Sequence, residues 1–383
     1  MRGGRVLLAL ALGVGVSAAA ALVRARPVPT GRYVEIPFGV ATDHPWRTGG
    51  GDPRRTGRLR GLAPSEAPTR QWEAANIGSG QRVRTPTVAR DGTVFVGSQS
   101  GLSMVGPDGA QRWALQVGLA SGTPSFTPDG KVVLGAQGGR LLFVGGPRSR
   151  AEAEVGALVV GSPLALDDGS VVVPTGDPQL LRVDGEGRRV FETRLPGPAR
   201  SQAALAGGSI VVAAGEGLHW FGLEGALERS VDLGEPVVLG PVVTDTGDVL
   251  ALSRGGVLHR VGLAGGHDRS ELDVRPAPTS ALALAPDGSL RFGTLDAGLL
   301  CVEPDGSERW RLDDHGPMAG ELSVDAGGTT LVVSGRRELL AVAADGRVRW
   351  SVSVGRRTFA APVLGADGTI YVATFGGFLQ AWR

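Results

Sequence analysis

The chain alternates short apolar runs with tight polar turns, and this pattern recurs eight times. Each turn ends in glycine and precedes a β-branched run, as Asp91-Gly92 precedes residues 93–96 and Asp367-Gly368 precedes residues 369–372. The turn-final glycines are Gly92, Gly130, Gly169, Gly208, Gly247, Gly288, Gly328 and Gly368, so successive repeats lie 38 to 41 residues apart. Glycine accepts the positive φ of tight hairpin turns, so these turns predict β-hairpins. A strand-only period of this length predicts a β-propeller.

Residues 85–122 illustrate one repeat: strands at 86–89, 94–97 and 102–105 are followed by an outer strand that carries Trp113. A second register repeats in phase with the first. A turn glycine is followed four residues later by a large side chain, which is Trp113, Phe191, Trp310 or Trp350 in four repeats and Arg150, Arg229 or Arg269 in three. No helical period runs through the repeats. The fold class is therefore all-β, with four strands in each repeat.

The two ends of the repeat region complement each other. The chain stops at the end of a third strand, residues 377–382, which contains Trp382. Residues 71–75, with Trp72, have the pattern of an outer strand that lacks a blade. Pairing these segments closes the ring and removes an open sheet edge. We therefore predict one eight-bladed propeller over residues 69–383.

Composition narrows the picture further. The net charge of +1 predicts no general attraction to nucleic acid or to an anionic membrane. The glycines, 62 of 383 residues, fall in register with the turns and therefore do not indicate low complexity. Cys301 is the single cysteine, which rules out an intramolecular disulfide, and we expect it to be a small buried residue of a third strand.

The N-terminus indicates export. Arg2 and Arg5 precede an apolar run over residues 6–23, as in a signal peptide. Residues 1–25 are read as a signal peptide, with an uncleaved membrane anchor as the alternative, since 18 residues barely span a bilayer. No cysteine lies near the run for a lipid anchor. Residues 26–68 form an irregular leader rich in proline and arginine. The propeller is thus expected in the periplasm or cell envelope, either released or tethered by residues 6–23.

Several motifs together resemble the pyrroloquinoline-quinone-like (PQQ-like) β-propeller repeats. They are the Asp-Gly turns, the Gly-x3-Trp spacing, Thr85-Pro86, Ser162-Pro163, Ala361-Pro362, Gly139-Arg140-Leu141, and the leader pattern of Trp46, Asp52 and Thr56-Gly57. The family includes quinoprotein dehydrogenases, the outer-membrane assembly factor BamB and sensor domains. The resemblance implies that the aromatic residues pack between blades; these are Trp72, Trp113, Phe191, Trp310, Trp350 and Trp382. Arginine in that register implies looser packing in blades 2, 4 and 5.

The resemblance does not extend to catalytic residues. Dehydrogenases of the family use adjacent cysteines, an aspartate base, and glutamate and asparagine calcium ligands, whereas this chain has only Cys301 and only Asn76. The five histidines show no spacing of a metal pair. We therefore predict no catalytic residue, no metal site, no cofactor and no enzymatic activity.

Function is expected in binding. The first hypothesis is a monomeric, BamB-type scaffold for an envelope protein partner. Four arginines on adjacent loops, Arg336, Arg337, Arg356 and Arg357, are the predicted partner site, because forked guanidinium donors suit carboxylates and phosphates. The alternatives are a ligand-binding or sensory propeller that uses the central channel, or a quinoprotein-type oxidoreductase.

Export is directly testable. Alkaline phosphatase fused after residue 60 should be active, because the enzyme folds only after the apolar run has carried it across the inner membrane. A fusion that lacks residues 6–23 is the control and should be inactive. An inactive full fusion would show that the apolar run is not an export signal.

Overall fold

The computed structural model describes residues 44–78, 83–146, 148–272, 280–296 and 298–383. Residues 1–25, read as a signal peptide, and the leader up to residue 43 lie outside this range. Throughout the described ranges the regular elements are β-strands, arranged in eight four-stranded antiparallel sheets, and no membrane-spanning helix is found there. The eight-bladed all-β propeller predicted from the repeats is confirmed.

In blades 1 to 7 the four strands follow one another in chain order from the channel outwards. Blades 1 to 4 contain β2 (Thr87–Val88), β3 (Val94–Gly97), β4 (Gly101–Val105) and β5 (Gln111–Gln116); β6 (Ser125–Phe126), β7 (Val132–Ala136), β8 (Arg140–Val144) and β9 (Arg150–Glu154); β10 (Leu164–Ala165), β11 (Val171–Pro174), β12 (Gln179–Val183) and β13 (Arg189–Arg194); and β14 (Ala204–Ala206), β15 (Ser209–Ala214), β16 (Gly217–Phe221) and β17 (Leu227–Asp232).

Blades 5 to 8 repeat the same order, and the strand at the N-terminus, β1 (Arg70–Ala74), completes the last of them. They contain β18 (Val237–Val243), β19 (Val249–Ser253), β20 (Val257–Val261) and β21 (His267–Glu271); β22 (Ala283–Leu284), β23 (Leu290–Gly293), β24 (Leu299–Val302) and β25 (Glu308–Leu312); β26 (Ser323–Val324), β27 (Thr330–Val333), β28 (Glu338–Val342) and β29 (Val348–Ser353); and β30 (Val363–Leu364), β31 (Ile370–Thr374), β32 (Phe378–Trp382) and β1.

The Asp-Gly turns owe their shape to both residues. Gly92 has a φ of 81°, which side chains disfavour, and the carboxylate of Asp91 accepts a hydrogen bond from the backbone N–H of Thr93 at 2.9 Å. Asp287 and Asp367 make the same bond two residues ahead. Because the two middle strands of a blade are covered on both faces by neighbouring blades, they read as continuous apolar runs.

Strand β1 closes the ring by pairing with β32. Trp72 lies opposite Ala381 and Ala74 opposite Leu379, and Thr69 exchanges two backbone hydrogen bonds with Arg383 at 2.8 and 2.9 Å. The carboxylate of Glu73 also accepts hydrogen bonds from the side chains of Gln380 (2.7 Å) and Arg356 (2.8 Å). The N-terminal strand therefore fills the place of the missing outer strand, as the complementary ends predicted.

Residues 44–63, here called the strap, cross the central channel. The edge of each inner strand that faces the channel carries backbone N–H groups with no acceptor in their own blade. Burying such groups without an acceptor costs free energy. Strap carbonyls accept hydrogen bonds from these groups in six blades, at 2.7 to 3.0 Å. The pairs are Val88 with Trp46, Phe126 with Arg47, Leu205 with Pro53, Val243 with Arg54, Leu284 with Thr56, and Val324 with Gly57. The irregular leader thus serves as a shared backbone partner for the ring.

Arg55 anchors the strap to blades 3 and 4. Its side chain is fully buried and donates hydrogen bonds to the oxygens of Thr48 (2.7 Å), Gly49 (2.6 Å), Ala203 (2.8 Å), Ser162 (3.1 Å) and Pro163 (3.4 Å). Burial lowers the pKa of Arg55 to about 9, opposed by the negative charge of Asp52, so the guanidinium stays protonated at neutral pH.

The leader pattern has a local explanation. The side chain of Asp52 accepts hydrogen bonds from the hydroxyl (2.6 Å) and the backbone N–H (3.2 Å) of Thr56, which turns the chain. Gly57 has a φ of 69°, and a Cβ there would lie 2.7 Å from the Cβ of Ala283. The ring of Trp46 packs beneath Gly51. Each residue of the pattern therefore fixes the path of the strap.

The strap allows a matched comparison of two adjacent arginines. Arg55→Met should lower the free energy of unfolding by roughly 3 kcal/mol, because it leaves several buried carbonyl oxygens without a donor. Arg54→Met should cost less than about 1 kcal/mol, because Arg54 makes an exposed ion pair with Asp245. Urea denaturation of both variants measures the difference. Equal losses would contradict the central role of Arg55.

Candidate functional site

The strap closes one end of the channel, and the other end opens as a funnel of about 680 Å³. The floor is formed by strap residues, among them Trp46 and Arg55. The walls come mainly from the connections that lead from an outer strand to the next inner strand, together with β18 and the connection between β23 and β24. The funnel is therefore built from the whole ring, and its depth is set by the strap.

The funnel wall is divided by polarity. Blades 1 to 4 contribute mainly hydroxyl and amide groups, and blades 5 to 8 contribute mainly apolar side chains. The polar set is Thr85, Ser121, Thr123, Ser162, Ser201 and Gln202; the apolar set is Val238, Leu239, Pro241, Leu282, Leu295 and Phe359. Such a wall suits an amphipathic occupant.

Glu321 is the single carboxylate among the described lining residues. Its carboxyl oxygen lies 2.5 Å from the hydroxyl of Thr85, which donates to it. Burial raises the pKa of Glu321, although the Thr85 hydrogen bond and the nearby charge of Arg84 oppose the shift. Glu321 can accept a hydrogen bond from a ligand, or donate one when protonated.

These residues do not fit a calcium-bound quinone. In the described part of the chain no three His, Cys, Asp or Glu side chains are grouped to hold a metal ion. Cys301 is fully buried in β24, where its sulfur lies 2.7 Å from Nη1 of Arg291, and burial raises the pKa of its thiol to about 11. Asn76 follows β1 and does not line the funnel. Cys301 and Asn76 therefore do not supply the adjacent-cysteine pair or the calcium ligand that dehydrogenases of the PQQ-like family use.

The four predicted arginines lie on one rim of the funnel face. Arg336 and Arg337 connect β27 to β28, and Arg356 and Arg357 lie between β29 and β30. Nη1 of Arg337 lies 3.5 Å from the carbonyl oxygen of Gly355, so the two loops meet. Three of the arginines are exposed, and Arg356 is partly buried.

Arg356 differs from the others. It forms an ion pair with Glu73 of the closing strand at 2.8 Å, and its guanidinium stacks on the ring of Phe378 at 3.5 Å. The structure therefore joins Arg356 to ring closure, and leaves Arg336, Arg337 and Arg357 as the guanidinium groups facing solvent.

The sequence interpretation missed two aromatic residues on this rim. Phe359 is 46% exposed, and its ring meets that of Phe375 edge-on at 5.1 Å. The backbone N–H of Phe375 donates to the carbonyl of Arg357 at 2.8 Å, which ties the aromatic pair to the arginine loop. The sequence signal that could have identified them is an aromatic residue in a connection where polar residues are expected. We name Arg336, Arg337, Arg357, Phe359 and Phe375 the rim patch.

The predicted packing aromatics lie at the junctions between blades. The indole of Trp310 donates to the carbonyl of Ala344 in the next blade at 2.8 Å, and that of Trp72 donates to Pro107 at 2.9 Å. Each indole covers a turn glycine of the neighbouring blade: Trp310 covers Gly346 and Trp72 covers Gly109. Glycine is required there because a Cβ would lie within 3 Å of the indole.

The other members occupy related positions. Trp113 is buried beside Phe95, and Phe191 covers Gly225. Trp350 donates to the carbonyl of Pro64 at 2.8 Å, so the leader replaces the turn that blade 8 lacks. Trp382 is buried in the third strand of blade 8, where its indole donates to Gln380 at 3.2 Å.

The arginine register needs a correction in blades 2 and 5. Trp113 lies opposite Met104 because an irregularity shifts the pairing of β4 and β5 by one residue. Strands β8 and β9, and likewise β20 and β21, pair without that shift. The residues at the equivalent position are therefore Ala151 and Asp268, not Arg150 and Arg269. Only Arg229 takes the predicted place, opposite Trp220.

The comparisons with known proteins agree with this architecture. Residues 295–382 match the family model described as outer membrane protein assembly factor BamB. The structure is similar to BamB from Moraxella catarrhalis, with a TM-score of 0.62 and 17% identity, covering 82% of this chain and 99% of that chain. The predicted resemblance to PQQ-like propellers, and to BamB among them, is confirmed. No curated protein matches the chain.

Enzymes share the same fold. Quinohemoprotein alcohol dehydrogenase from Comamonas testosteroni has a TM-score of 0.69 and 14% identity, covering 88% of this chain and 80% of that chain. A europium-containing methanol dehydrogenase has a TM-score of 0.63 and 13% identity, covering 86% and 89%. Structural neighbours therefore include both an assembly factor and dehydrogenases, and at these identities they show the fold alone.

The buried His259 pairs with the partly buried His267 in blade 5. Nδ1 of His259 lies 3.1 Å from Nε2 of His267, and the rings stack at 5.3 Å. Burial lowers the pKa of His259 to about 4, and the charges of His267 and Arg269 add to the shift, while Glu235 opposes it. Burial likewise lowers the pKa of His267.

The pair predicts a loss of stability in acid. His259 stays neutral in the folded chain below its ordinary pKa of 6.5, whereas the unfolded chain binds a proton there. Its contribution to stability is therefore present above pH 6.5 and is lost as the pH falls towards 4. Urea midpoints between pH 7.5 and 4.5 should fall more steeply for the wild type than for His259→Gln. Parallel curves would contradict this assignment.

Proposed function

We propose that this chain is a non-catalytic scaffold of the cell envelope that binds a partner protein on its funnel face. The observation that carries the proposal is the rim patch. The exposed Phe359, packed on the partly buried Phe375, lies beside three exposed arginines, and aromatic residues and arginine are enriched at the centres of protein interfaces. The family match over residues 295–382, which includes the rim patch, supports the same function.

The rim patch combines two kinds of binding energy. Phe359 loses apolar exposed surface when a partner covers it, which stabilises the complex without a directional requirement. Arg336, Arg337 and Arg357 form charge-assisted hydrogen bonds with carboxylates, and these gain strength when water is excluded. We therefore propose a partner segment that carries acidic residues next to an apolar one.

The location of the strap favours this face. It covers the other end of the channel with its own backbone, so a partner meets the open end of the ring on the funnel side. The basic and apolar N-terminal segment supports a periplasmic or envelope location for this encounter. We propose that the scaffold is a monomer, because the closed ring leaves no sheet edge between its first and last blades.

The partner site is testable by photo-crosslinking in the native host. A photoreactive phenylalanine at position 359 should yield a discrete crosslinked protein, because the rim patch is in contact with the partner. The matched control places the same group at Leu263, which is 57% exposed. Leu263 lies in the turn between β20 and β21, on the face of the ring opposite the funnel, and should yield no crosslinked protein.

Changing Arg336, Arg337 and Arg357 together to Ser should then weaken binding of the identified partner by at least about tenfold, most clearly at low salt. The free energy of unfolding should hardly change, because these side chains are exposed. Equal crosslinking from both positions, or unchanged affinity of the triple variant, would contradict the proposed site.

The funnel itself favours a second candidate, a ligand-binding or sensory propeller. Glu321 and the hydroxyl groups of blades 1 to 4 converge on a cavity large enough for a small molecule. Under this alternative, Glu321→Gln would weaken ligand binding, and a photoreactive group at position 359 would give no discrete crosslinked protein. The two candidate functions therefore predict opposite outcomes of the crosslinking experiment.

A further inference from the structure

A cleft of about 460 Å³ separates blades 5 and 6 at the position where other junctions hold an aromatic ring. Its lining residues are Leu258, Arg260, Asp268 and Ser270 of blade 5 and Glu303, Pro304 and Asp305 of blade 6. Asp268 stands where Trp113 and Trp310 stand in their blades, because β20 and β21 pair without the one-residue shift. Ser270 covers the turn glycine Gly306 and donates to the carbonyl of Asp305 at 2.7 Å, so the cleft is the part of the junction beyond Ser270 that an indole fills elsewhere.

The equivalent junctions show which groups this space presents. Trp72 and Trp310 donate to the carbonyls of Pro107 and Ala344, each two residues before the turn glycine that the indole covers. The corresponding carbonyl in blade 6 is that of Pro304, two residues before Gly306. With Asp268 in place of the indole, this carbonyl lacks an indole donor.

Some of the charged groups around the cleft have an ion-pair partner, and others do not. Arg260 already binds Asp248 through two nitrogens, at 2.9 and 2.6 Å. Arg309 holds both oxygens of Glu303, at 2.5 and 2.9 Å. Asp268 and Asp305 are exposed, and the structure gives neither of them an ion pair among the described residues. The cleft therefore carries excess negative charge beside its apolar walls.

We propose that this cleft binds an arginine side chain from a partner polypeptide. The planar guanidinium fits a space that flat rings occupy at the other junctions, and its donors reach Asp268, Asp305 and the carbonyl of Pro304. The aliphatic stem packs on Leu258 and Pro304. A tryptophan would leave both carboxylates without a charge partner, and a lysine would lack the planar group.

The chain itself provides a precedent at the adjacent junction. Arg229 of blade 4 reaches across to blade 5, where its Nη1 donates to the carbonyl of Gly262 at 2.9 Å. Its guanidinium stacks on the ring of Trp220 at 4.8 Å. An arginine therefore already occupies one junction of this propeller in the way that we propose for a partner's arginine at the next.

The test uses a short probe, N-acetyl-Gly-Arg-Gly-amide, titrated into the complete exported protein and followed by NMR. The arginine probe should shift the amide signals of Asp268, Ser270 and Asp305, and a citrulline probe of the same shape but without charge should bind about tenfold more weakly. Binding should weaken as salt is added. Equal binding of the two probes, or shifts elsewhere only, would overturn the proposal.

Four variants sharpen the test. Asp268→Asn and Asp305→Asn should each weaken probe binding about tenfold, whereas Asp345→Asn should have no effect, because it occupies the equivalent turn of blade 7 where Trp310 fills the junction. Asp268→Trp should abolish binding by filling the cleft. Unchanged binding in the Asp268 and Asp305 variants would overturn the proposal. This site is separate from the rim patch, so the outcome does not depend on the proposed function.

Discussion

The backbone N–H groups that the inner strands turn towards the channel set the central constraint of this propeller. Buried N–H groups need acceptors, and a ring of eight blades exposes one strand edge per blade to its own centre. Carbonyl groups of the strap accept hydrogen bonds from these N–H groups in six blades. Arg55 in turn donates hydrogen bonds to carbonyl groups of the strap and of the neighbouring blades. The leader is therefore a structural part of the ring.

The same constraint determines where binding can occur. Because the strap covers one end of the channel, the funnel at the other end and the junctions between blades are the concave surfaces that remain. The floor of the funnel, at Arg55, is occupied by contacts within the protein. The proposed contacts of the rim patch would therefore be made by side chains carried by loops, and those of the cleft between blades 5 and 6 by side chains of β20, β21 and the turn after β24, all held in place by a rigid ring.

The sequence was sufficient to predict the ring because its signals are local. Gly92 and Gly109 mark turns whose geometry requires glycine, and Trp72 and Trp382 mark strands whose partners could lie only at the opposite end of the chain. The path of the strap was not predictable, because backbone carbonyls carry no sequence signal. The sequence register assigned Arg269 to the position that Asp268 occupies, since the pairing shift that is absent from β20 and β21 depends on backbone hydrogen bonds.

The candidate site was only partly predictable for similar reasons. The paired arginines at 336–337 and 356–357 identified the rim, but the ion pair that holds Arg356 joins residues 283 positions apart along the chain. Phe359 and Phe375 became part of the site only through the meeting of two loops. Contacts between distant loops follow from the closed ring, and no local pattern encodes them.

Hydrogen exchange of the inner-strand amides tests this account most directly. The amides of Val88, Phe126, Leu205, Val243, Leu284 and Val324 should exchange as slowly as those of the middle strands, because each donates to a strap carbonyl. In Arg55→Met all six should lose protection together while β1 and β32 stay protected. Fast exchange of these six amides in the wild type would show that the strap does not hold the channel, and would contradict the account.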